Sequence, residues 1–143
     1  GDHRDLHSFP TRRLFRSSSR IEVDLNAPDL KWQGHAYLDS NEGDEPVDQG
    51  FHTWDWSRAR TRDGSTVVFY DMQPPGTQDR VLSLRFTPQG TVEPMATPPA
   101  QRLSKTGWRI DRRMRSTQGV RVHEQLEDTP FYQRALLQFD HAG

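Results

Sequence analysis

Residues 53–71 read TWDWSRARTRDGSTVVFYD, and this stretch decides the fold class. From Thr53 to Arg60 successive side chains alternate, with Trp54 and Trp56 on one face, and Thr66 to Asp71 is rich in Val, Phe and Tyr. Asp63-Gly64 lies between the two runs and favours a hairpin, because a type I′ turn has positive φ at both central positions. The stretch therefore predicts two antiparallel strands joined by a tight turn.

The same alternation recurs on both sides of this hairpin. Further strands are predicted at Ile21–Leu25, Trp32–Asp39, Val81–Phe86, Trp108–Met114, Val120–Leu126 and Phe131–Phe139. Turns are predicted at Pro28, at Pro74-Pro75-Gly76 and at Gln89-Gly90, and the proline-rich Thr91–Ala100 is predicted to be an edge strand or extended loop. Thr129–Gln138 could also form a helix, but we favour a strand. Eight or nine short strands indicate a mainly β protein, an antiparallel barrel or sandwich.

Composition narrows the class of protein. The 143 residues are 31% hydrophobic and 27% charged, which suits one domain with a thin core. A net charge of -1 provides no field that would draw the chain to nucleic acid, so no nucleic-acid partner is expected. The absence of cysteine excludes disulfides and thiolate chemistry. No apolar run approaches the roughly 20 residues of a membrane span, although attachment to a membrane surface stays open.

The first twenty residues differ from the rest. Gly1–Arg20 carries five arginines against two aspartates and shows no sustained periodicity. Its string Asp5–Arg13 looks like translated sequencing-adapter read-through, and a disordered basic arm or an expression scar are the alternatives. We therefore expect residues 1–20 to be a non-native or disordered segment without contacts to the rest, and residues 21–143 to form the domain.

Tyr37 and Asp39 are the first candidates for chemistry. Residues two apart in a strand share a face, so an interior-facing pair would place a carboxyl beside an aromatic ring in an apolar cavity. Burial would raise the pKa of that carboxyl and keep it protonated as an acid. The alternative is structural, since an Asp before Ser40-Asn41 at the end of a strand often caps a turn.

Three other patterns carry weaker chemical implications. The acidic run 39–45 fails the EF-hand spacing, because positions six and twelve hold Asp44 and Gly50, and a solvated loop is expected instead of a metal site. Trp54 and Trp56 suit core packing or an aromatic wall for a conjugated ligand. The basic stretch 109–115 should be split between two faces by strand alternation.

Several motifs in order resemble the carotenoid 1,2-hydratase (hydroxyneurosporene synthase) family. They are Gly34-x-Ala36-Tyr37-Leu38-Asp39-Ser40-Asn41-x-Gly43-Asp44-Glu45-Pro46, Trp54-Asp55-Trp56-Ser57-Arg58-Ala59, Tyr70-Asp71 and Leu126-Glu127-Asp128-Thr129-Pro130-Phe131-Tyr132-x-Arg134. The resemblance covers about 21–137. It implies a lipocalin-like antiparallel β fold and cofactor-free hydration of the terminal double bond of acyclic carotenoids such as neurosporene or lycopene.

The resemblance also implies roles for individual residues. Asp39 and Tyr37 take the catalytic positions, with Asp39 as the acid and Tyr37 stabilising the resulting cation. Trp54, Trp56 and Tyr70 are the substrate-binding candidates, and no metal is expected. The family has an upstream portion with a His and a Trp implicated in the site, so we expect this chain to be a piece with an incomplete barrel. The expected location is the bacterial cytoplasm, with peripheral membrane attachment left open; the sequence gives no oligomeric state.

Two other hypotheses stay open at this point. A non-catalytic lipocalin-like domain would bind an apolar ligand and would need no acid in its cavity. A fragment with open strand edges would neither fold fully nor act.

Overall fold

A computed structural model describes residues 12–42, 52–76 and 78–139, with side chains described for all of these except 12–18 and 38–42. Ten strands occur in this part of the chain: β1 (Arg12–Asn26), β2 (Asp29–Glu42), β3 (Thr53–Arg60), β4 (Thr66–Gln73), β5 (Arg80–Phe86), β6 (Val92–Pro94), β7 (Ala100–Arg102), β8 (Arg113–Arg115), β9 (Val120–Asp128) and β10 (Gln133–Phe139). They form four antiparallel sheets with the orders β3-β4-β5-β6, β1-β2, β7-β8 and β9-β10. The prediction of a mainly β, antiparallel protein is confirmed, and none of the sheets within the described ranges closes into a barrel.

The central sheet grows from the β3–β4 hairpin, where Thr53 pairs with Gln73 and Arg60 with Thr66. The hairpin is predicted correctly, but its turn type is not. Gly64 has a φ of 82°, whereas Asp63 does not have positive φ, and the Gly64 amide donates to the carbonyl of Thr61 at 3.0 Å. This is a type I turn followed by a left-handed glycine, and it needs only one residue that tolerates positive φ.

The hydrophobic core lies on one face of this sheet. Its buried members are Val68, Tyr70, Met72 and Phe86, and Tyr37, Leu82 and Leu84 pack against them. Val68, Tyr70 and Met72 alternate along β4, so strand periodicity alone puts them on the same face. The core is thin, as the composition predicts.

β1 and β2 form a long ribbon around the turn at Ala27-Pro28, with Asn26 paired with Asp29 and Arg12 with Glu42. The expectation that residues before Arg20 make no contact with the rest is wrong for 12–20, since β1 includes them and a bulge lies between Arg16 and Ser19. The physical reason is that ladder hydrogen bonds join backbone groups and tolerate an aperiodic sequence. Residues 1–11 lie outside the described ranges, and the division of the chain at residue 20 stays a prediction.

The segment between β7 and β8 corrects a second expectation. A strand is predicted over Trp108–Met114, but the strand observed there, β8, covers only Arg113–Arg115. Thr106 accepts hydrogen bonds from the amides of Arg109 and Ile110, at its carbonyl and its hydroxyl respectively, and Arg109 has a φ of 62°. A side chain bonded to the local backbone competes with a ladder and favours this turn.

β9 and β10 form a hairpin in which Phe139 pairs with Val120 and Gln133 with Asp128. The choice of strand over helix for this last segment is confirmed. No helix in the described part of the chain has the length and apolar character to cross a membrane.

Candidate active site

The candidate site forms where β2 crosses β3 without backbone pairing between the two strands. At one point Nη1 of Arg60 donates to Nε2 of His35 at 2.5 Å. Two residues along each strand, the guanidinium carbon of Arg58 lies 4.8 Å from the centroid of the Tyr37 ring. His35 and Tyr37 share one face of β2, and Arg60 and Arg58 share one face of β3. The side chains of the two strands therefore meet in antiparallel order.

Three of the predicted site residues form one aromatic cluster, consisting of Tyr37, Trp56 and Tyr70. The ring centroids of Tyr37 and Trp56 are 5.3 Å apart with the planes at 47°. Those of Trp56 and Tyr70 are 6.3 Å apart at 64°, an edge-to-face arrangement. Trp56 and Tyr70 are also direct cross-strand partners, so the β3–β4 register brings their rings together.

The two tryptophans are not core residues. Trp54 is 48% exposed and Trp56 is 39% exposed, although they share the face of β3 that continues from the core. Tyr70, in contrast, is 6% exposed and belongs to the core. The aromatic cluster thus runs from the buried core to a solvent-accessible indole, which is the arrangement that a binding wall requires.

Asp39 lies on β2 two residues beyond Tyr37, where its backbone is paired with Phe15. Its side chain lies outside the described part of the structure, and so does the acidic loop 43–51. The predictions that Asp39 is buried, has a raised pKa and lacks a basic partner stay predictions. Among the described residues, no three His, Cys, Asp or Glu side chains are grouped as a metal site would need.

Sequence reasoning missed a second constellation on the opposite face of β3 and β4. Asp55 and Asp71 are cross-strand partners there. Nε and Nη2 of Arg115 donate to the two carboxylate oxygens of Asp71 at 2.7 and 2.6 Å. Nε of Arg113 lies 3.5 Å from Oδ2 of Asp55, and its Nη2 lies 3.5 Å from Oδ1 of Asp71. We call these four residues the carboxylate–guanidinium cluster.

The electrostatics of this cluster follow from its burial. Asp71 is 2% exposed, and its bidentate hydrogen bonds with a guanidinium are charge-assisted and therefore stronger than bonds to neutral groups. Burial raises the pKa of Asp55, against the opposing effect of Arg113. The hydrogen bonds to Asp71 raise the pKa of Arg115. A sequence signal for the cluster existed, since Arg113 and Arg115 have strand spacing and each Asp interrupts an aromatic or apolar strand.

Arg112 points away from that cluster, as the alternation of the basic stretch predicts. Its Nη1 donates to the side-chain oxygens of Gln125 at 2.6 Å and Gln133 at 2.9 Å, which lie on β9 and β10. Its Nε donates to the carbonyl of Ser104 at 2.6 Å. Consecutive arginines therefore connect the β7–β8 hairpin to two different sheets.

Comparisons with known proteins agree with the resemblance seen in the sequence motifs. The family model of the carotenoid hydratase CrtC matches residues 6–143. The chain is similar to the acyclic carotenoid 1,2-hydratase of Rubrivivax gelatinosus, with 53% identity over 121 residues, which are 83% of this chain and 30% of that protein. It is also similar to the acyclic carotenoid 1,2-hydratases of Thiocapsa roseopersicina, at 49% identity over 87% of this chain and 31% of the relative, and of Rhodobacter capsulatus, at 37% over 89% and 46%.

The chain thus spans about a third to a half of the length of these relatives. No solved structure matches it significantly. Because the family model matches nearly the whole chain, including the strands that carry Tyr37, Trp56 and Tyr70, the chain belongs to the carotenoid hydratase CrtC family.

Proposed function

We propose that the protein carrying this chain is a hydratase that adds water to the terminal C1–C2 double bond of acyclic carotenoids. The observation that carries the proposal is the aromatic cluster of Tyr37, Trp56 and Tyr70, because it joins residues from separate sheets beside the apolar core. The names of the relatives, acyclic carotenoid 1,2-hydratase, support the same reaction.

The aromatic cluster suits a reaction that passes through a cation. An aromatic ring attracts a positive charge to its face, and the attraction increases when water is excluded. The guanidinium carbon of Arg58 lies 4.8 Å from the centroid of the Tyr37 ring, so a cation already occupies one face of that ring. The carbocation would therefore meet the remaining ring surface of Tyr37 and Trp56. Trp56 is 39% exposed, so a polyene end approaching from solvent could reach the aromatic cluster through this indole.

The proposed acid is Asp39. The O–H bond of its protonated carboxyl breaks as a C–H bond forms at C-2, and the π electrons of the C1–C2 bond supply the new bond. This leaves a tertiary cation at C-1 beside the aromatic rings of Tyr37 and Trp56. A water oxygen then bonds to C-1 and loses a proton to the Asp39 carboxylate, which restores the acid and leaves one hydroxyl on the product.

Isotopic labelling and one isosteric substitution test this proposal. The protein is supplied with lycopene in ¹⁸O-labelled water, and the product is expected to gain one water with the label in its hydroxyl. In deuterated water the new C–H bond should carry deuterium at C-2. Asp39→Asn should abolish conversion, because the amide keeps the shape of the carboxyl but cannot protonate an alkene.

The matched control is Asp29→Asn, the same change at an exposed position at the start of β2. It should leave conversion unchanged. Conversion retained by Asp39→Asn would remove Asp39 from the acid role. Lycopene binding without conversion by the unmodified protein would favour the alternative, a lipocalin-like domain that only binds an apolar ligand.

We also propose that the protein acts in the bacterial cytoplasm and meets its apolar substrate at the membrane surface. The β1–β2 turn supports this, since Leu25 and Leu30 are each 44% exposed and Trp32 is 46% exposed. Tryptophan favours the boundary between water and lipid. Co-sedimentation with phosphatidylcholine vesicles should occur and should fall in Leu30→Ser, whereas equal sedimentation of both proteins would contradict this role.

A further inference from the structure

Two carboxylates stand side by side in the middle of the central sheet. Asp55 on β3 and Asp71 on β4 are direct cross-strand partners, and Asp71 is 2% exposed. Like charges in this position destabilise an antiparallel pair, and burial increases the cost because water no longer screens them. The sheet therefore requires cations behind these two residues.

Arg113 and Arg115 of β8 supply those cations from 42 or more residues along the chain. Arg115 binds Asp71 through both carboxylate oxygens, at 2.7 and 2.6 Å. Arg113 lies between the two carboxylates, 3.5 Å from Asp55 and 3.5 Å from Asp71, and also 3.5 Å from Asp79 in the loop before β5. One short strand thus neutralises both members of the carboxylate pair.

The position of this cluster relative to the aromatic rings follows from strand geometry. Side chains alternate across a strand, so the neighbours of Asp55 and Asp71 point to the opposite face. Those neighbours include Trp56 and Tyr70, which are themselves cross-strand partners with ring centroids 6.3 Å apart. The carboxylate–guanidinium cluster therefore lies behind the sheet at the cross-strand pair directly next to the one that carries the two aromatic rings.

We propose that Arg113 and Arg115 are positioning residues for the aromatic cluster. By neutralising Asp55 and Asp71 from behind the sheet, they hold β3 and β4 at the separation that sets the Trp56–Tyr70 ring geometry. The arginines bind carboxylates on the face of the ladder opposite the rings, so the effect passes through the backbone of the ladder. One consequence of this inference rests on the proposed function, namely that loss of either arginine lowers the rate of carotenoid hydration.

The test uses ¹⁹F NMR of the whole chain labelled with 5-fluorotryptophan. The four tryptophan signals are assigned by single Trp→Phe substitutions. Arg115→Gln should displace or broaden the Trp56 signal, while the signal of Trp32 on β2 stays in place. The matched control is Arg134→Gln, which removes an ion pair with Glu127 whose side chains are 61% and 48% exposed. It should move none of the four signals.

Two further measurements separate positioning from general stabilisation. Arg115→Lys keeps the charge but cannot bind both carboxylate oxygens, so it should displace the Trp56 signal less than Arg115→Gln does. The Trp56 signal of the unmodified chain should also follow the protonation of Asp55, which is faced by Arg113, Asp71 and, through Arg113, Asp79. That pH dependence should disappear in Asp55→Asn.

An unchanged Trp56 signal in folded Arg115→Gln overturns the proposal. If Arg115→Gln does not fold, Arg115→Lys is the deciding variant. A displaced Trp56 signal with an unchanged Trp32 signal supports positioning, whereas an unchanged Trp56 signal or a change of both signals overturns it. Failure of the proposed function is distinguishable, because the unmodified protein would then leave lycopene unconverted while the Trp56 signal still responded to Arg115.

Discussion

The ring of Tyr37 lies 5.3 Å from the ring of Trp56, centroid to centroid, although the two residues belong to different sheets. Tyr37 comes from the β1–β2 ribbon, and Trp56 comes from the edge strand of the central sheet. The contact continues the apolar core outward, since Tyr37 also packs against that core. It is therefore both a structural link between two sheets and the centre of the proposed active site.

Replacement of Tyr37 should separate these two roles. Tyr37→Leu removes the ring contact, which is worth about 0.5–1.5 kcal/mol beyond area burial, and should lower both the free energy of unfolding and the rate of hydration. Tyr37→Phe keeps a ring that can face a cation and should retain most of both. Urea unfolding and lycopene conversion measure the two effects. Equal conversion by the Leu and Phe variants would contradict a role of the ring in catalysis.

Substitution by Ala should destabilise the chain more at Gly64 than at Gly34. Gly64→Ala places a side chain at a φ of 82°, which costs roughly 1 kcal/mol, although its neighbours are at ordinary contact distances. Gly34→Ala lies in regular β2, where the nearest atoms of Trp32 would be 3.6 Å from the new Cβ. Thermal unfolding should show a lower midpoint only for Gly64→Ala. A larger loss at Gly34 would show that packing, not backbone conformation, limits these positions.

The carboxyls of Asp55 and Asp63 should affect stability with opposite pH dependence. Burial raises the pKa of Asp55, so its contribution is present below about pH 4 and is lost as pH rises through the raised value. Hydrogen bonds from Thr61, Ser65 and Arg85 lower the pKa of Asp63, so its contribution is present above about pH 4 and is lost as pH falls.

Asp→Asn substitutions at the two positions measure the direction in which each carboxyl changes stability with pH. From pH 3 to pH 7, the unfolding free energy of Asp55→Asn relative to the unmodified chain should increase, and that of Asp63→Asn should decrease. Chemical denaturation at several pH values gives both differences. Slopes of the same sign would show that the contacts described for one of the two carboxyls do not persist in solution.

Arg112 should matter more to stability than its exposed neighbour in the same hairpin. Arg112→Gln removes a buried guanidinium, 6% exposed, together with its hydrogen bonds to Ser104, Gln125 and Gln133, and the expected loss is about 1.5–3 kcal/mol. Arg102→Gln removes the same charge from an exposed position on β7 and should change stability by less than about 0.5 kcal/mol. Equal losses of unfolding free energy in urea would mean that the change in net charge, and not the hydrogen bonds of Arg112, determines the effect.

Alternation and turn residues were sufficient to predict most strands. The β3–β4 hairpin is the clearest example, because β3 alternates strictly, β4 is rich in Val, Phe and Tyr, and Gly64 marks their turn. The prediction of a strand over Trp108–Met114 failed because local hydrogen bonds to Thr106 override the alternation of side chains there. Thr106 bonds the backbone of the following residues, and Arg109 takes up a left-handed conformation that no alternation rule reports.

The candidate site was only partly predictable for a different reason. Period-2 spacing places Trp54 and Trp56 on one face, but it cannot show that β2 crosses β3 so that Tyr37 meets Trp56. That contact joins two strands with no backbone hydrogen bonds between them. The carboxylate–guanidinium cluster was missed for the same reason, since Asp71 and Arg115 are 44 residues apart in sequence.

The opposed directions of Arg112 and Arg113 have a consequence for how this region can change in evolution. One side chain reaches β9 and β10, and the next reaches β3 and β4. Since strand side chains alternate with a period of two, inserting or deleting one residue just before this pair would exchange the faces of every following position. Substitutions at the exposed positions of the β7–β8 hairpin should therefore accumulate freely among relatives, whereas its length between Thr106 and Arg113 should stay fixed.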